Sequence, residues 1–243
     1  MAEPIIYPRF ARNRLEEALI DTPVVLLHGP RQCGKTTLAR MVGDAAGYEY
    51  ITFDDDVQLA SAQTDPVGFV ADLPDKTVLD EIQRVPALFL ALKSAVDRDR
   101  RPGRFILTGS ANVLLVPKLA DSLAGRVEIQ RLHPLAQDEL AGNEARFLDV
   151  LFSGRLKNRH YERLGHELAE RIAAGGYPAA LLRGTPKRRA AWYRDYIETL
   201  VQRDVRDLAR ISALDSLSRL VQLAAGQTAR LVNVAEMASA FQL

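Results

Sequence analysis

The feature that most constrains this chain is a short loop between an apolar run at residues 24–27 and a helix-like segment at residues 37–42. The loop begins at Gly29 and has the spacing G-x-x-x-x-G-K-T, which is the Walker A pattern of a phosphate-binding loop. Such a loop needs a strand before it and a helix after it, because backbone N–H groups and the helix N-terminus hold the phosphates together. The spacing therefore predicts a strand, loop and helix that bind a nucleotide.

Each position of this loop has a predicted part in binding ATP. Gly29 and Gly34 allow backbone conformations and close approaches that a Cβ would obstruct. Lys35 supplies positive charge to the β- and γ-phosphates, and the Thr36 hydroxyl is a predicted ligand for the bridging Mg²⁺. The residues expected to contact the nucleotide are Gly29, Pro30, Arg31, Gln32, Cys33, Gly34, Lys35, Thr36 and Thr37.

A second apolar run, at residues 77–79, ends in two carboxylates, Asp80 and Glu81. Apolar residues that end in acids are typical of a buried parallel strand whose carboxyl end delivers side chains to a site. Asp80 is predicted to bind Mg²⁺ through its water shell, and Glu81 to act as the general base that polarises a water. The pair favours ATP hydrolysis over the alternative of a P-loop kinase that phosphorylates a small molecule.

A third apolar run, at residues 104–107, ends in small polar residues. Ser110 is the first candidate for a side chain that touches the γ-phosphate or orients the water, and Asn112 is the second. Thr108 is interpreted as a cap of the strand. A plain turn at residues 109–112 stays an alternative, because Gly, Ser and Asn also favour turns.

These segments, in this order, resemble the AAA+ superfamily of ATPases. More narrowly, the chain is similar to prokaryotic ATPases in which such a domain precedes a C-terminal domain of unknown function. The downstream segments that carry the resemblance lie at residues 122–126, 132–135, 175–178, 196–200 and 203–205. The resemblance implies ATP-dependent activity with Mg²⁺, and it leaves a homo-oligomer open as an option.

The resemblance also implies an arginine that senses or stabilises the γ-phosphate. Arg126 is the candidate, because the matching segment of AAA+ proteins lies toward a neighbouring subunit's nucleotide. Arg31, in the loop itself, is the competing candidate. An ordinary ion pair at the start of a strand is an equal alternative for Arg126.

Strand-like and helix-like segments alternate up to about residue 135, with a second strand expected at residues 48–53 and a fifth at 127–132. This pattern predicts an α/β fold, a three-layer P-loop NTPase with a five-stranded, mainly parallel sheet, followed by an α-helical region. The expected domains are an ATPase domain at residues 1–135, a helical region at 136–212 and a winged-helix-like segment at 213–243. That last segment stops before a recognition helix, so truncation is the favoured explanation.

Composition limits the partners and the location. The net charge of +1 over 243 residues argues against a chain-wide electrostatic grip on nucleic acid. A nucleotide-dependent regulator that binds DNA through the C-terminal segment nevertheless stays the alternative function. Two arginine-rich stretches, at residues 155–163 and 203–210, are interpreted as solvated faces. No apolar run reaches the length of a membrane span and the start lacks signal-peptide regions, so a cytoplasmic location is expected.

The single cysteine, Cys33, lies inside the phosphate-binding loop and has no partner for an internal disulfide. It is interpreted as a small residue at a variable position. The alternative is a redox brake on nucleotide binding, which requires neighbouring cations to lower the pKa of its thiol.

Overall fold

The structure is a computed structural model, and it describes residues 6–110, 125–144, 146–154, 164–200, 214–228, 230–231 and 233–239. Some sequence predictions lie outside these described residues. They are the second sensor candidate Asn112, the basic cluster at 155–163 and the arginines at 203, 206 and 210.

Five parallel strands form one sheet, in the order β2-β3-β4-β1-β5. They are β1 Val24–Gly29, β2 Glu49–Thr52, β3 Thr77–Asp80, β4 Phe105–Ser110 and β5 Val127–Arg131. The predicted α/β class with a parallel sheet is therefore confirmed, with each strand inside or close to its predicted segment. Because the strands are parallel, the loops after β1, β3 and β4 all emerge at one edge of the sheet.

Helices cover both faces of this sheet. The helices of this part of the chain are α1 Ala11–Asp21, α2 Lys35–Ala46, α3 Asp56–Thr64, α4 Pro66–Ala71 and α5 Leu88–Arg98. Buried residues of α1 and α2 belong to one hydrophobic core, and buried residues of α3, α4 and α5 belong to the other. The three-layer arrangement predicted from the alternation of segments follows from these two cores.

The alternation of side chains along β1 explains why this strand is apolar on both faces. Val24 and Leu26 belong to the core under α3 to α5, whereas Val25 and Leu27 belong to the core under α1 and α2. Successive side chains of a strand point to opposite faces. A central parallel strand buried on both faces therefore needs an uninterrupted apolar run, and the run leads directly into the phosphate-binding loop.

The described part of the chain after β5 contains helices and no strand, as predicted. Its helices are α6 Gln137–Ala141, α7 Phe147–Phe152, α8 His166–Ala174, α9 Pro178–Leu181, α10 Pro186–Leu200, α11 Leu214–Gly226 and α12 Val234–Ser239. The chain divides into two compact units, Met1–Leu182 and Arg183–Leu243. The boundaries at residues 135 and 212 stay predictions. Among the described helices, none combines the length and the apolarity needed to cross a membrane.

Candidate functional site

The loop between β1 and α2 encloses the lysine that the sequence predicts to meet the phosphates. Gly34 adopts φ +99° at the N-cap of α2, a conformation that side chains rarely permit. Lys35 follows it and is 4% exposed. Its Nζ donates hydrogen bonds to the carbonyl oxygens of Gly29, at 3.2 Å, and Pro30, at 2.9 Å. The ammonium group is therefore held within the loop.

Gly29 has a structural role in addition to its predicted one. A Cβ at this position would lie 2.1 Å from the carbonyl oxygen of Leu132, and the backbone N–H of Leu132 donates to the carbonyl of His28 at 2.7 Å. The close approach of the segment after β5 to the end of β1 therefore requires glycine at position 29. This requirement comes from packing and is independent of a phosphate.

Asp80 lies at the carboxyl end of β3, next to the end of the loop. Its carboxylate is buried, at 3% exposure, and it accepts hydrogen bonds from three hydroxyl groups. The Thr36 Oγ1 donates at 2.9 Å, the Tyr50 hydroxyl at 2.9 Å and the Thr108 Oγ1 at 2.5 Å. The structure thus brings together the two residues predicted to bind the metal, Thr36 and Asp80.

These two residues fit Mg²⁺. The ion prefers hard oxygen ligands, and in phosphate sites it is held by one or two protein groups together with water and phosphates. Among the described residues, no cluster of three or more His, Cys, Asp or Glu side chains offers an all-protein metal cage. The neighbouring hydroxyl and carboxylate of Thr36 and Asp80 are the groups that could hold such an ion together with phosphates and water.

Sequence reasoning missed the two residues that orient Asp80. Burial, and then the hydrogen bond to Asp80, raise the pKa of Tyr50 to about 12, so its hydroxyl stays a donor at neutral pH. Thr108, interpreted above as a strand cap, donates to Asp80 and accepts from the backbone N–H of Glu81 at 3.1 Å. Thr108, a polar residue near the carboxyl end of β4, was the available signal for one of them, whereas Tyr50, the second residue of β2, offered none.

We expect Thr108→Val to raise the Mg²⁺ concentration that gives half-maximal ATP hydrolysis by roughly tenfold, since groups that orient a metal ligand typically contribute that much to affinity. A magnesium titration of ATP turnover measures it. Thr77→Val is the matched control. Thr77 is also a buried threonine, but it lies at the amino end of β3, whereas Asp80 lies at the carboxyl end. Equal magnesium requirements in the two variants would show that Thr108 does not orient Asp80.

Glu81 leaves the strand in an unusual conformation. Its φ is +58°, in the left-handed region that costs a non-glycine residue about 1–3 kcal/mol. Its side chain accepts a hydrogen bond from the Gln83 amide, whose oxygen in turn accepts from the backbone N–H of Ser110 at 3.4 Å. Ser110 is buried and pairs with Gly29 across β4 and β1. The predicted base and the predicted sensor therefore lie at the same edge, linked by Gln83.

Arg126 lies elsewhere in this chain. It precedes β5, and Val127 pairs with Val24 at the start of β1, so Arg126 is at the opposite edge of the sheet, roughly 20 Å from the loop at about 3.3 Å per residue. Its Nε donates to Asp97 at 2.6 Å and its Nη2 at 3.2 Å. The pair lowers the pKa of Asp97. The structure does not bring Arg126 to the chain's own site.

Cys33 is a buried structural residue. Burial is the main cause that raises the pKa of its thiol, and it outweighs the opposing charges of Lys35 and Arg9. A thiolate is the reactive form, so this direction contradicts the redox alternative. The interpretation as a small residue agrees with its 0% exposure.

A cavity of about 80 Å³ adjoins the loop. Its lining is mainly apolar, and it includes Tyr7, Arg9, Gly34, Met41, Leu135 and Pro178. Pockets for small ligands combine apolar walls with a few polar groups. The position beside Gly34 and the start of α2 makes this cavity the candidate pocket for the part of a nucleotide that follows its phosphates.

Comparisons with known proteins agree with this geometry. Residues 21–141 match the family described as "AAA domain", and residues 165–243 match a domain of unknown function. Uncharacterized proteins of Mycobacterium bovis and Mycobacterium tuberculosis are each 36% identical over 236 residues, which is 96% of this chain and 48% of each relative. The chain thus spans about half the length of these relatives.

A solved structure supports the fold. The Walker-type ATPase of Pyrococcus abyssi superposes with a TM-score of 0.50 at 20% identity, covering 85% of this chain and 77% of that one. At this identity the similarity concerns the fold alone. The fold and the site define a P-loop NTPase architecture. The chain carries an AAA-family domain at residues 21–141, followed by a C-terminal domain of unknown function at residues 165–243.

Proposed function

We propose that this chain is a Mg²⁺-dependent ATPase whose nucleotide cycle changes the conformation of its helical region. The observation that carries the proposal is the meeting of Lys35, Thr36, Asp80 and Glu81 at the carboxyl ends of β1 and β3. The 2.9 Å hydrogen bond between Thr36 and Asp80 supports their joint use as metal-binding groups. Glu81, which directly follows Asp80 at the end of β3, is the carboxylate that we assign as the base.

The residues divide the reaction among them. The loop and Lys35 bind and orient the phosphates, and Thr36 and Asp80 hold Mg²⁺, which neutralises charge that develops on the phosphates when it is bound. Glu81 accepts the proton of the attacking water, and Ser110 orients that water or the γ-phosphate. The apolar cavity beside Met41 is the proposed contact for the base and the sugar, and its volume of about 80 Å³ holds only part of them, because ligand pockets typically measure about 300–1,000 Å³.

The test is ATP turnover by the purified chain with Mg²⁺, with EDTA and with ADP as a product control. Phosphate release that requires Mg²⁺ is the expected result. A protein that binds ATP but transfers its phosphate to an added small molecule would instead support the kinase alternative. The absence of nucleotide binding at any magnesium concentration would refute the proposal.

A DNA-binding regulator is the second candidate. The observation in its favour is the helix pair α11 and α12, with the backbone N–H of Ala235 donating to the Asn233 side chain at 3.1 Å, as in a helix N-cap. A gel-shift titration with random duplex DNA, with and without ATP, tests it. A shift that depends on ATP would support this function, and no shift would exclude it for this chain.

Arg126 is proposed to act on the nucleotide of a neighbouring subunit, because the phosphate-binding loop of its own chain lies at the opposite edge of the sheet. We expect Arg126→Ala to lower turnover by roughly a thousandfold with little change in ATP affinity. The specific activity of the parent protein should also rise with its concentration. Arg100→Ala is the matched control, because Arg100 contacts the same Asp97 but is 70% exposed. If the Arg126→Ala protein hydrolysed ATP at the parental rate at every concentration, the role in catalysis would be refuted. Arg126 would then be assigned only its ion pair with Asp97.

A further inference from the structure

An arginine outside the phosphate-binding loop contacts the backbone of that loop. The Arg9 side chain is only 7% exposed, and each of its three guanidinium nitrogens donates a hydrogen bond. The acceptors are the carbonyl oxygen of Cys33 at 2.8 Å, the carbonyl oxygen of His133 at 2.5 Å and the Glu139 carboxylate at 3.2 Å. Arg9 therefore joins the start of the chain, the loop and the segment after β5.

The carboxylate that pairs with Arg9 is fixed as well. The Glu139 side chain is 5% exposed. Its Oε1 accepts from the backbone N–H of Phe10 at 2.7 Å, and its Oε2 accepts from the backbone N–H of Ala136 at 2.9 Å. A buried ion pair with these additional hydrogen bonds has a single well-defined geometry. Arg9 is consequently held in place at the loop.

The contact with Cys33 determines which way the next peptide N–H points. No described peptide bond is cis, and in a planar trans peptide the C=O and the N–H point in opposite directions. Because Arg9 holds the Cys33 carbonyl, the N–H of Gly34 is turned away from Arg9. Gly34 also makes room for the contact, since a Cβ there would lie 3.1 Å from the Arg9 Nη1.

We propose that Arg9 is a positioning residue for nucleotide binding, which turns the Gly34 N–H toward the phosphates, and that Glu139 holds Arg9 for this purpose. The inference rests on the proposed function of the loop. Because the N–H contacts bound phosphate in ATP and in ADP alike, its loss weakens the binding of both. The interaction is equally present before and during reaction, so turnover at saturation changes little.

The test replaces the pair by neutral amides of similar shape, Arg9→Gln with Glu139→Gln, so that no buried charge is left alone. The expected result is a Kd for ATP and for ADP that rises roughly tenfold to a hundredfold, the worth of one hydrogen bond to a charged group. The kcat stays within about threefold of the parent value, because ground-state and transition-state binding are affected alike.

The matched control is Arg12→Gln with Glu16→Gln, which removes an exposed ion pair of 2.8 Å in α1. Its Kd should equal that of the parent. If the parent binds nucleotide and the Arg9 and Glu139 double variant binds it equally well, the positioning role is refuted. If the parent itself binds no nucleotide, the proposed function fails instead. If the double variant does not fold, Arg9→Lys takes its place in the same binding measurements. Lysine keeps the positive charge but lacks the planar guanidinium with its several N–H donors.

A spectroscopic measurement tests the orientation directly. Cys33 is the only cysteine of the chain, so ¹³C-carbonyl cysteine with ¹⁵N-glycine labels one coupled peptide, Cys33–Gly34. In the nucleotide-free protein this signal should move in the Arg9 and Glu139 double variant and stay in place in the control. Saturating ADP should shift the Gly34 amide proton downfield in the parent and less in the double variant. An amide that does not respond to bound ADP in the parent would overturn the proposal.

Discussion

Glu81→Gln is expected to leave the binding of ATP and Mg²⁺ intact and to slow hydrolysis by at least about a hundredfold, the usual contribution of a general base. The amide keeps the size of the side chain but cannot accept the proton of the attacking water. Glu81 holds no phosphate or metal in the proposed arrangement, so affinity and turnover separate.

The measurements are a titration with a fluorescent ATP analogue and single-turnover phosphate release. Glu17→Gln is the matched control, because Glu17 lies exposed on α1. The Glu81→Gln variant is also expected to keep the contact with Gln83. The Gln83 amide donates to one oxygen of the Glu81 carboxylate, and the new amide side chain retains an oxygen that can accept this bond. Hydrolysis at the parental rate would show that water is activated elsewhere and that Glu81 is structural.

Most of the sheet was predictable from the sequence, because its signals are local. The apolar run of β1 and the run that ends at Asp80 each mark a strand buried on both faces. The motif that follows β1 also fixes the start of α2 at Lys35. Parallel strands place their carboxyl ends at one edge, so the proximity of Thr36 and Asp80 followed from topology and spacing without coordinates.

The residues that orient the site were not predictable, because their signals are not local. Arg9 and Glu139 are 130 residues apart in the chain, and neither belongs to a recognisable motif. Tyr50 looks like an ordinary strand residue until β2 is placed beside β3. A single sequence contains no information on which distant side chains meet, whereas the folded chain brings them together through two cores and a shared edge.

Arg126 illustrates a different limit. The resemblance pointed to the nucleotide of a neighbouring subunit, and one sequence gave no spatial check of that position. The strand register places it at the amino end of β5, beside Asp97, so an action on the chain's own nucleotide is excluded by geometry. The distinction between an action within one chain and an action between chains requires a register, which only the structure supplies.

Lys35→Ala is expected to abolish measurable ATP binding. Lys35 is the cation that the loop encloses, and its Nζ contacts the loop carbonyls of Gly29 and Pro30. When phosphate binds, the ammonium group exchanges these neutral acceptors for negatively charged oxygens, with which it forms ion pairs as well as hydrogen bonds. Its loss removes the positive charge that the loop places against the triphosphate, while the backbone donors remain.

The same titration with a fluorescent ATP analogue measures the effect, with Lys76→Ala as the control. Lys76 is exposed, and its Nζ donates to the Ala46 carbonyl at 3.1 Å, so its removal also deletes one lysine contact with a backbone carbonyl. A thermal melt without nucleotide must show that the Lys35 variant is folded, because otherwise lost binding would report lost structure. A folded Lys35→Ala protein with parental affinity would mean that nucleotide binds outside the loop. That result would also remove the basis for assigning Thr36 and Asp80 to Mg²⁺, since their assignment depends on phosphates held beside them.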